Sequence, residues 1–164
     1  MKCLGDDKNE EDAIIIRQLT ISKKGDSRSI THLQYTGWMD FGVPDNPLGT
    51  LQIIQMASKA QETYSKPDSA VGPMIVHCSA GCGRSGAFCA IDTVLYRLSQ
   101  TNCSTKSDVL LETISRFREQ RLSMVQTLRQ FVFCYEAIWW WLLGYGQDID
   151  SESSANAEDM DTSL

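Results

Sequence analysis

Apolar positions along this chain follow two periods, and the change of period marks its elements. Ile14 to Ile21 is rich in β-branched residues, and Ile30 to Thr36 alternates apolar and polar side chains. Both predict strands, with Lys23 to Ser29 as the polar turn between them. Gly37 to Pro47 holds two Gly and two Pro and reads as a loop. From Leu48 the period lengthens. Leu51, Ile54 and Ala57 predict a helix over Leu48 to Tyr64. Ser65 to Gly72 is a linker, and Pro73 to His77 reads as a short buried strand. Phe88, Ile91, Val94, Leu95 and Leu98 fall on one face of a helix over Ser85 to Ser99. Two further helices are predicted at Asp108 to Gln120 and Thr127 to Leu143.

The order strand, strand, helix, strand, loop and three helices is an α/β pattern weighted to helix in its second half. There is no internal repeat. Residues 1–13 read as a frayed N-terminus, 14–146 as one folded unit, and 147–164 as an acidic disordered tail. Three strands make a narrow sheet.

Charge sharpens the boundary at 147. The chain has 164 residues and a formal charge of -6. Residues 147–164 hold six acidic side chains and no Lys or Arg, so the remainder carries 15 acidic against 15 basic residues. A neutral body offers no basic stripe for nucleic acid. The most apolar run, Ala137 to Leu143, is seven residues long, too short to span a bilayer. Its three tryptophans are expected to pack a helix against the body. Six irregularly spaced cysteines, in a chain whose first stretch from Met1 to Asp12 is polar, predict reduced thiols and a cytoplasmic setting.

The candidate chemistry lies between the third strand and the second helix. The chain there reads His77-Cys78-Ser79-Ala80-Gly81-Cys82-Gly83-Arg84-Ser85-Gly86. Small residues at Ser79, Ala80, Gly81 and Gly83 let the backbone curl, so that successive N–H groups point inward as an anion nest. The following helix adds free N–H donors and partial positive charge. A cysteine at the start of such a loop is favoured as thiolate. Arg84, six positions on, can grip two phosphate oxygens. Cys78 is therefore read as a nucleophile that forms a phosphocysteine. An accessible thiolate is also open to reversible oxidation, with Cys82 as a candidate resolving thiol.

This string resembles the signature loop of the classical protein-tyrosine phosphatases. Two further segments carry the resemblance. Trp38-Met39-Asp40-Phe41-Gly42-Val43-Pro44 is similar to the family's mobile Trp-Pro-Asp loop, with Met39 in place of the proline. Phe117 to Phe131 is similar to its glutamine loop and the helix after it. The resemblance runs from about Ile14 to Gly146 and matches the second half of the catalytic domain. It implies a partial phosphotyrosine-phosphatase fold: an α/β remnant of a twisted mixed sheet, flanked by helices. The aromatic clamp on phosphotyrosine and several strands would precede this segment, leaving an unpaired sheet edge and exposed apolar surface.

The resemblance also implies roles. Asp40 is the acid toward the tyrosyl oxygen and then the base toward water. Trp38 is a hinge and packing residue. Ser85 helps the sulfur leave in the second step, and it can serve as a plain N-cap as well. Gln126 positions the attacking water and Gln130 lines the same pocket. Ser79, Ala80, Gly81, Cys82 and Gly83 hold the phosphate with Arg84. His77 either shapes the thiolate's surroundings or is a satisfied structural histidine, and Arg121 is structural, pairing with a carboxylate beneath the loop. No cofactor or metal is implied. The implied partners are phosphotyrosine-containing proteins, phosphorylated kinases among them. Two other readings share a Cys-x5-Arg cradle: a catalytically impaired chain that traps phosphotyrosine, and a dual-specificity or sulfur-transfer enzyme. The tryptophan and glutamine loops speak against the latter pair.

Overall fold

The computed structural model describes residues 2–9, 13–65, 72–101 and 107–146. The acidic tail and most of the linker after Ser65 lie outside the described residues. The elements are strands β1 (Lys2–Asn9), β2 (Ile14–Lys23) and β3 (Asp26–Tyr35), then helices α1 (Leu48–Tyr64), α2 (Gly83–Gln100), α3 (Val109–Gln120) and α4 (Leu128–Leu142).

Strands β2 and β3 form a hairpin in unbroken antiparallel register from Ile14↔Tyr35 to Lys23↔Asp26. The turn is only Lys24-Gly25, both at positive φ (52° and 93°). That geometry matches the twist of the flanking strands, and glycine enters it without strain. The polar stretch read as a seven-residue turn is thus mostly strand. Its side chains are exposed, and polarity was mistaken for irregular backbone.

Strand β1 pairs antiparallel with the other edge of β2, with a register shift between Cys3 and Asp6. Residues 2–9 are therefore a strand and not a frayed start. An edge row of backbone N–H and C=O groups accepts a neighbour whatever its side chains, so hydropathy gave no warning.

The α/β class holds, but the sheet is antiparallel in every described pairing, in the order β1-β2-β3. The buried strand expected at Pro73 to His77 does not form. No described strand pairs with it, and Ile75 is 89% exposed. An apolar run becomes a strand only beside another strand, and the hairpin lies elsewhere.

The core centres on α2. Its inward face, with Ala87, Ala90, Ile91, Val94, Leu95 and Leu98, meets Leu51 and Ile54 of α1, Val109, Leu110 and Ile114 of α3, and Phe133, Cys134, Ala137 and Ile138 of α4. Each large side chain so buried contributes about 1.5–3 kcal/mol. Polar groups fix the helix ends. Asp108 caps α3 by accepting from Leu111 N (2.9 Å) and takes the Tyr135 hydroxyl of α4 at 2.5 Å. Thr127 and Gln130 form a reciprocal capping box at the start of α4. Of the three tryptophans at the end of α4, Trp140 and Trp141 pack on the core, whereas Trp139 is 62% exposed.

Helix α2 and the loop before α4 approach too closely for a side chain at Gly86. A Cβ there would lie 2.4 Å from Val125 N and 3.1 Å from Met124 C. Both are backbone atoms and cannot swing away. Gly86→Ala is expected to destabilise the chain by about 1–3 kcal/mol, the usual cost of overpacking. Thermal denaturation checks this, and an unchanged Tm would refute the contact.

Candidate active site

The loop from Cys78 to Cys82 turns directly into α2, which begins at Gly83, two residues before the predicted start. The helix has no side-chain cap. Its first turn is therefore part of the loop, and its N–H groups stay available. Gly81 takes φ +68°, a left-handed bend that turns its N–H onto Cys78 Sγ at 3.2 Å.

Partial burial pushes the Cys78 thiol up. The Ser85 hydroxyl and the amides of Ser85, Gly81 and Cys82 outweigh it and bring the pKa down from 9.0 to about 7. Ser85 is buried, and its Oγ has no partner at ordinary hydrogen-bond geometry. It is not an N-cap. Its influence on the sulfur is that of a dipole pointed at the developing anion.

Arg121 braces the loop from outside. Its Nε donates to Gly81 O and its Nη2 to Ala80 O, each at 3.0 Å. The expected carboxylate partner is thus replaced by carbonyls. The loop's N–H groups face inward, which leaves carbonyls facing outward, and a planar fork holds two of them at once. Cys82 points its thiol at Ala80 O (3.5 Å), and His77 is exposed.

Arg84 connects the cradle to the loop at Trp38. Its Nη1 donates to Trp38 O at 2.9 Å, and its Nη2 lies 3.2 Å from both Asp40 Oδ1 and Ser79 Oγ. Its Nε is buried and has no partner in the protein. Asp40 also receives the Ser79 hydroxyl at 2.5 Å and the Phe41 amide at 3.2 Å. The Ser79 hydrogen bond, with smaller help from Arg84 and Phe41, holds the Asp40 carboxyl below its usual range despite some desolvation. Trp38 anchors this loop. It is buried edge-on against Phe133, with ring centroids 5.3 Å apart, and donates Nε1–H to Gly42 O at 2.9 Å. Phe41 sits at φ 58°, and Met39 is 78% exposed.

The glutamine loop closes the floor. Val125 N donates to Cys82 O at 3.2 Å. Gln126 is exposed, with its Oε1 3.3 Å from the position a Cβ would take on Gly83. Gln130 is instead 1% exposed. Its Oε1 accepts from Gln126 N (3.0 Å) and Thr127 N (3.2 Å), and its Nε2 reaches Gly42 O at 3.5 Å. It ties the glutamine loop to the tryptophan loop beneath the cradle. A bulkier residue at position 83 would meet it at 2.9 Å.

Cys78, Ser79, Arg84, Ser85, Asp40, Gln126 and Gln130 thus converge on one site. Sequence reasoning gave no role to Arg118, whose Nε and Nη2 hold Met124 O (2.9 Å) and Val125 O (2.8 Å). Ser123 and Val125 adopt φ 62° and 58° under that grip. A β-branched residue at positive φ leaves no mark in the sequence, so only a cation placed before an irregular loop could have hinted at it. Among the described residues no group of His, Cys, Asp or Glu could hold a metal ion, and no helix is long and apolar enough to cross a membrane.

Known proteins are similar to this chain in sequence and fold. The family profile for protein-tyrosine phosphatase matches residues 1–140. Protein-tyrosine-phosphatase PTP1 of Arabidopsis thaliana is 37% identical over 134 residues, covering 80% of this chain and 37% of that protein. Human tyrosine-protein phosphatase non-receptor type 20 is 38% identical over 126 residues, covering 76% and 27%. The crystal structure of the catalytic domain of human protein tyrosine phosphatase non-receptor type 18 superposes with a TM-score of 0.70 at 34% identity, over 84% of this chain and 46% of that one. The chain therefore spans less than half the length of the relatives it matches. With the profile covering most of its residues and the cysteine cradle built as described, the chain belongs to the protein-tyrosine phosphatase family.

Proposed function

We propose that this chain carries the chemical centre for hydrolysis of phosphotyrosine in proteins through a phosphocysteine. The supporting observation is Cys78, a thiol brought to about 7 at the mouth of an amide-lined loop and helix N-terminus.

In the first step the Cys78 thiolate attacks phosphorus and the P–O bond to tyrosine breaks. Arg84 and the amides from Ser79 to Arg84 hold the non-bridging oxygens, and protonated Asp40 gives its proton to the phenolate. In the second step Gln126 positions water and Asp40, now a carboxylate, takes its proton. The S–P bond breaks, and the Ser85 hydroxyl stabilises the departing thiolate. Gln130 acts from beneath, by holding the glutamine loop. The mechanism uses no metal and no cofactor. The substrates of this reading are phosphotyrosine-containing proteins, phosphorylated kinases among them, and the setting is cytoplasmic signal transduction.

Rapid-quench mass spectrometry with a phosphotyrosyl peptide tests it. A phosphoryl adduct on Cys78 that forms and decays is the expected result. A second reading, a phosphotyrosine-binding module, draws on Met39 in the acid loop. Tight peptide binding with neither adduct nor released phosphate would select it and overturn hydrolysis.

Met39 itself yields a prediction. Proline fixes φ and restricts the residue before it, so a chain with methionine there spends conformational freedom on closing the loop. Met39→Pro is expected to speed the chemical step in single-turnover kinetics. An unchanged rate of adduct formation would sink that account.

A further inference from the structure

We infer that Ser79 is a positioning residue for Asp40: its hydroxyl, bridging to Arg84, holds the acid as a carboxylate over the cradle until a phosphate takes the arginine away. The inference rests on the reading of Asp40 as general acid and base, and concerns how that residue is charged before the reaction starts.

The geometry is a closed triangle. Ser79 Oγ donates to Asp40 Oδ2 at 2.5 Å and accepts from Arg84 Nη2 at 3.2 Å, and the same Nη2 lies 3.2 Å from Asp40 Oδ1. Both carboxylate oxygens are thus held by donors, and both donors prefer the ionised form. Of the charged or titratable groups of the cradle, Arg84 from α2 pairs with Asp40, Arg121 is spent on the loop's outer carbonyls, and the Cys78 thiol receives the Gly81 amide. Ser79 contributes most to keeping the carboxyl ionised, ahead of Arg84 and the Phe41 amide.

A carboxylate held this way suits the second step, where Asp40 acts as base. It does not suit the first, where it must deliver a proton. Phosphate resolves the conflict. Arg84 Nε is buried without a protein partner, so a phosphate oxygen that takes it draws the neighbouring Nη2 into the same bidentate grip. Asp40 then loses its cation and gains a dianion nearby, and both changes favour proton uptake from solvent. The acid is loaded when substrate arrives.

The test is a carboxyl ¹³C titration of Asp40, which needs no turnover. In wild type the Asp40 midpoint is expected below the ordinary carboxyl range, rising when inorganic phosphate is added. Ser79→Ala is expected to raise it without phosphate, and Ser79→Thr, which keeps a hydroxyl, to restore the low value. An Asp40 midpoint equal in wild type and Ser79→Ala overturns the inference. The pH dependence of Cys78 alkylation is the companion readout. It is expected to keep its midpoint of about 7 in Ser79→Ala, because the Ser79 hydroxyl is not among the groups that lower that thiol. If it shifts, the hydroxyl holds the cradle and not the acid, and the assignment falls. Failure of the hydrolytic reading registers separately, as absence of the Cys78 adduct.

Discussion

Cys78→Ser is expected to lower turnover of an aryl phosphate by at least about 10⁴-fold, the scale on which loss of a nucleophile shows in kcat. The reason is specific to this loop. The hydrogen bond at Cys78 Sγ comes from the Gly81 amide, a donor and no base, and Asp40 is engaged with Ser79 and Arg84. A serine hydroxyl would have to ionise in the field of the same amides, from a much higher starting pKa, whereas the thiol is already at about 7. At neutral pH a far larger share of Cys78 is therefore thiolate than of a thiol at its ordinary pKa. The same difference predicts alkylation of Cys78 by iodoacetamide with a midpoint near pH 7. The sign follows from the shift. Protonation below that midpoint removes the nucleophile, so the rate falls with acidity there and is flat above it. Cys134 is the internal control: it is buried, and burial pushes its thiol up to about 12, so it stays unreactive across this range. A midpoint near 9 at Cys78, or full activity in the serine variant, would refute the thiolate nucleophile.

The helices and the cradle were legible because each rests on a local rule. The helix from Leu48 to Tyr64 is bounded as its apolar spacing predicts, and the others differ by one or two residues at their ends. The cradle was legible because small residues let the backbone curl, with a cysteine and an arginine at fixed spacing to frame it. What escaped depends on partners that the local pattern does not carry. Lys2–Asn9 is a strand only because β2 offers it an edge. Pro73 to His77 fails to be one because no described strand lies beside it, although its residues are the more apolar. Gln130 was read as lining the pocket, but its amide is spent on two backbone N–H groups and the Gly42 carbonyl, which sequence spacing does not reveal. Arg118 escaped for the same reason, and Arg121, expected to be structural, holds carbonyls in place of the expected carboxylate. Each acts through main-chain carbonyls, and carbonyls have no sequence.

Arg84→Lys is expected to lower kcat/KM by about 10²–10³-fold or more, although the positive charge is kept. One guanidinium makes contacts through two of its nitrogens and leaves the third free for a phosphate oxygen. Nη1 holds Trp38 O at 2.9 Å, Nη2 reaches Asp40 and Ser79 at 3.2 Å, and Nε is buried without a protein partner. A lysine ammonium is a single point of charge and can serve one of these at a time. If it stays with the phosphate, Trp38 O loses its donor and the acid loop its tie to α2. If it stays with the loop, the phosphate loses its bidentate clamp. Ground-state attraction to a dianion survives either way, because that part is charge alone. The loss should therefore fall mainly on kcat, with KM for a phosphotyrosyl peptide changing much less. A merely structural arginine would give another pattern, a lowered Tm with residual activity per folded molecule unchanged. Steady-state kinetics beside thermal denaturation separate the two. An Arg84→Lys chain within tenfold of wild type in kcat would mean that the cradle needs only a cation, and the fork geometry at Arg84 would then have no part in the chemistry.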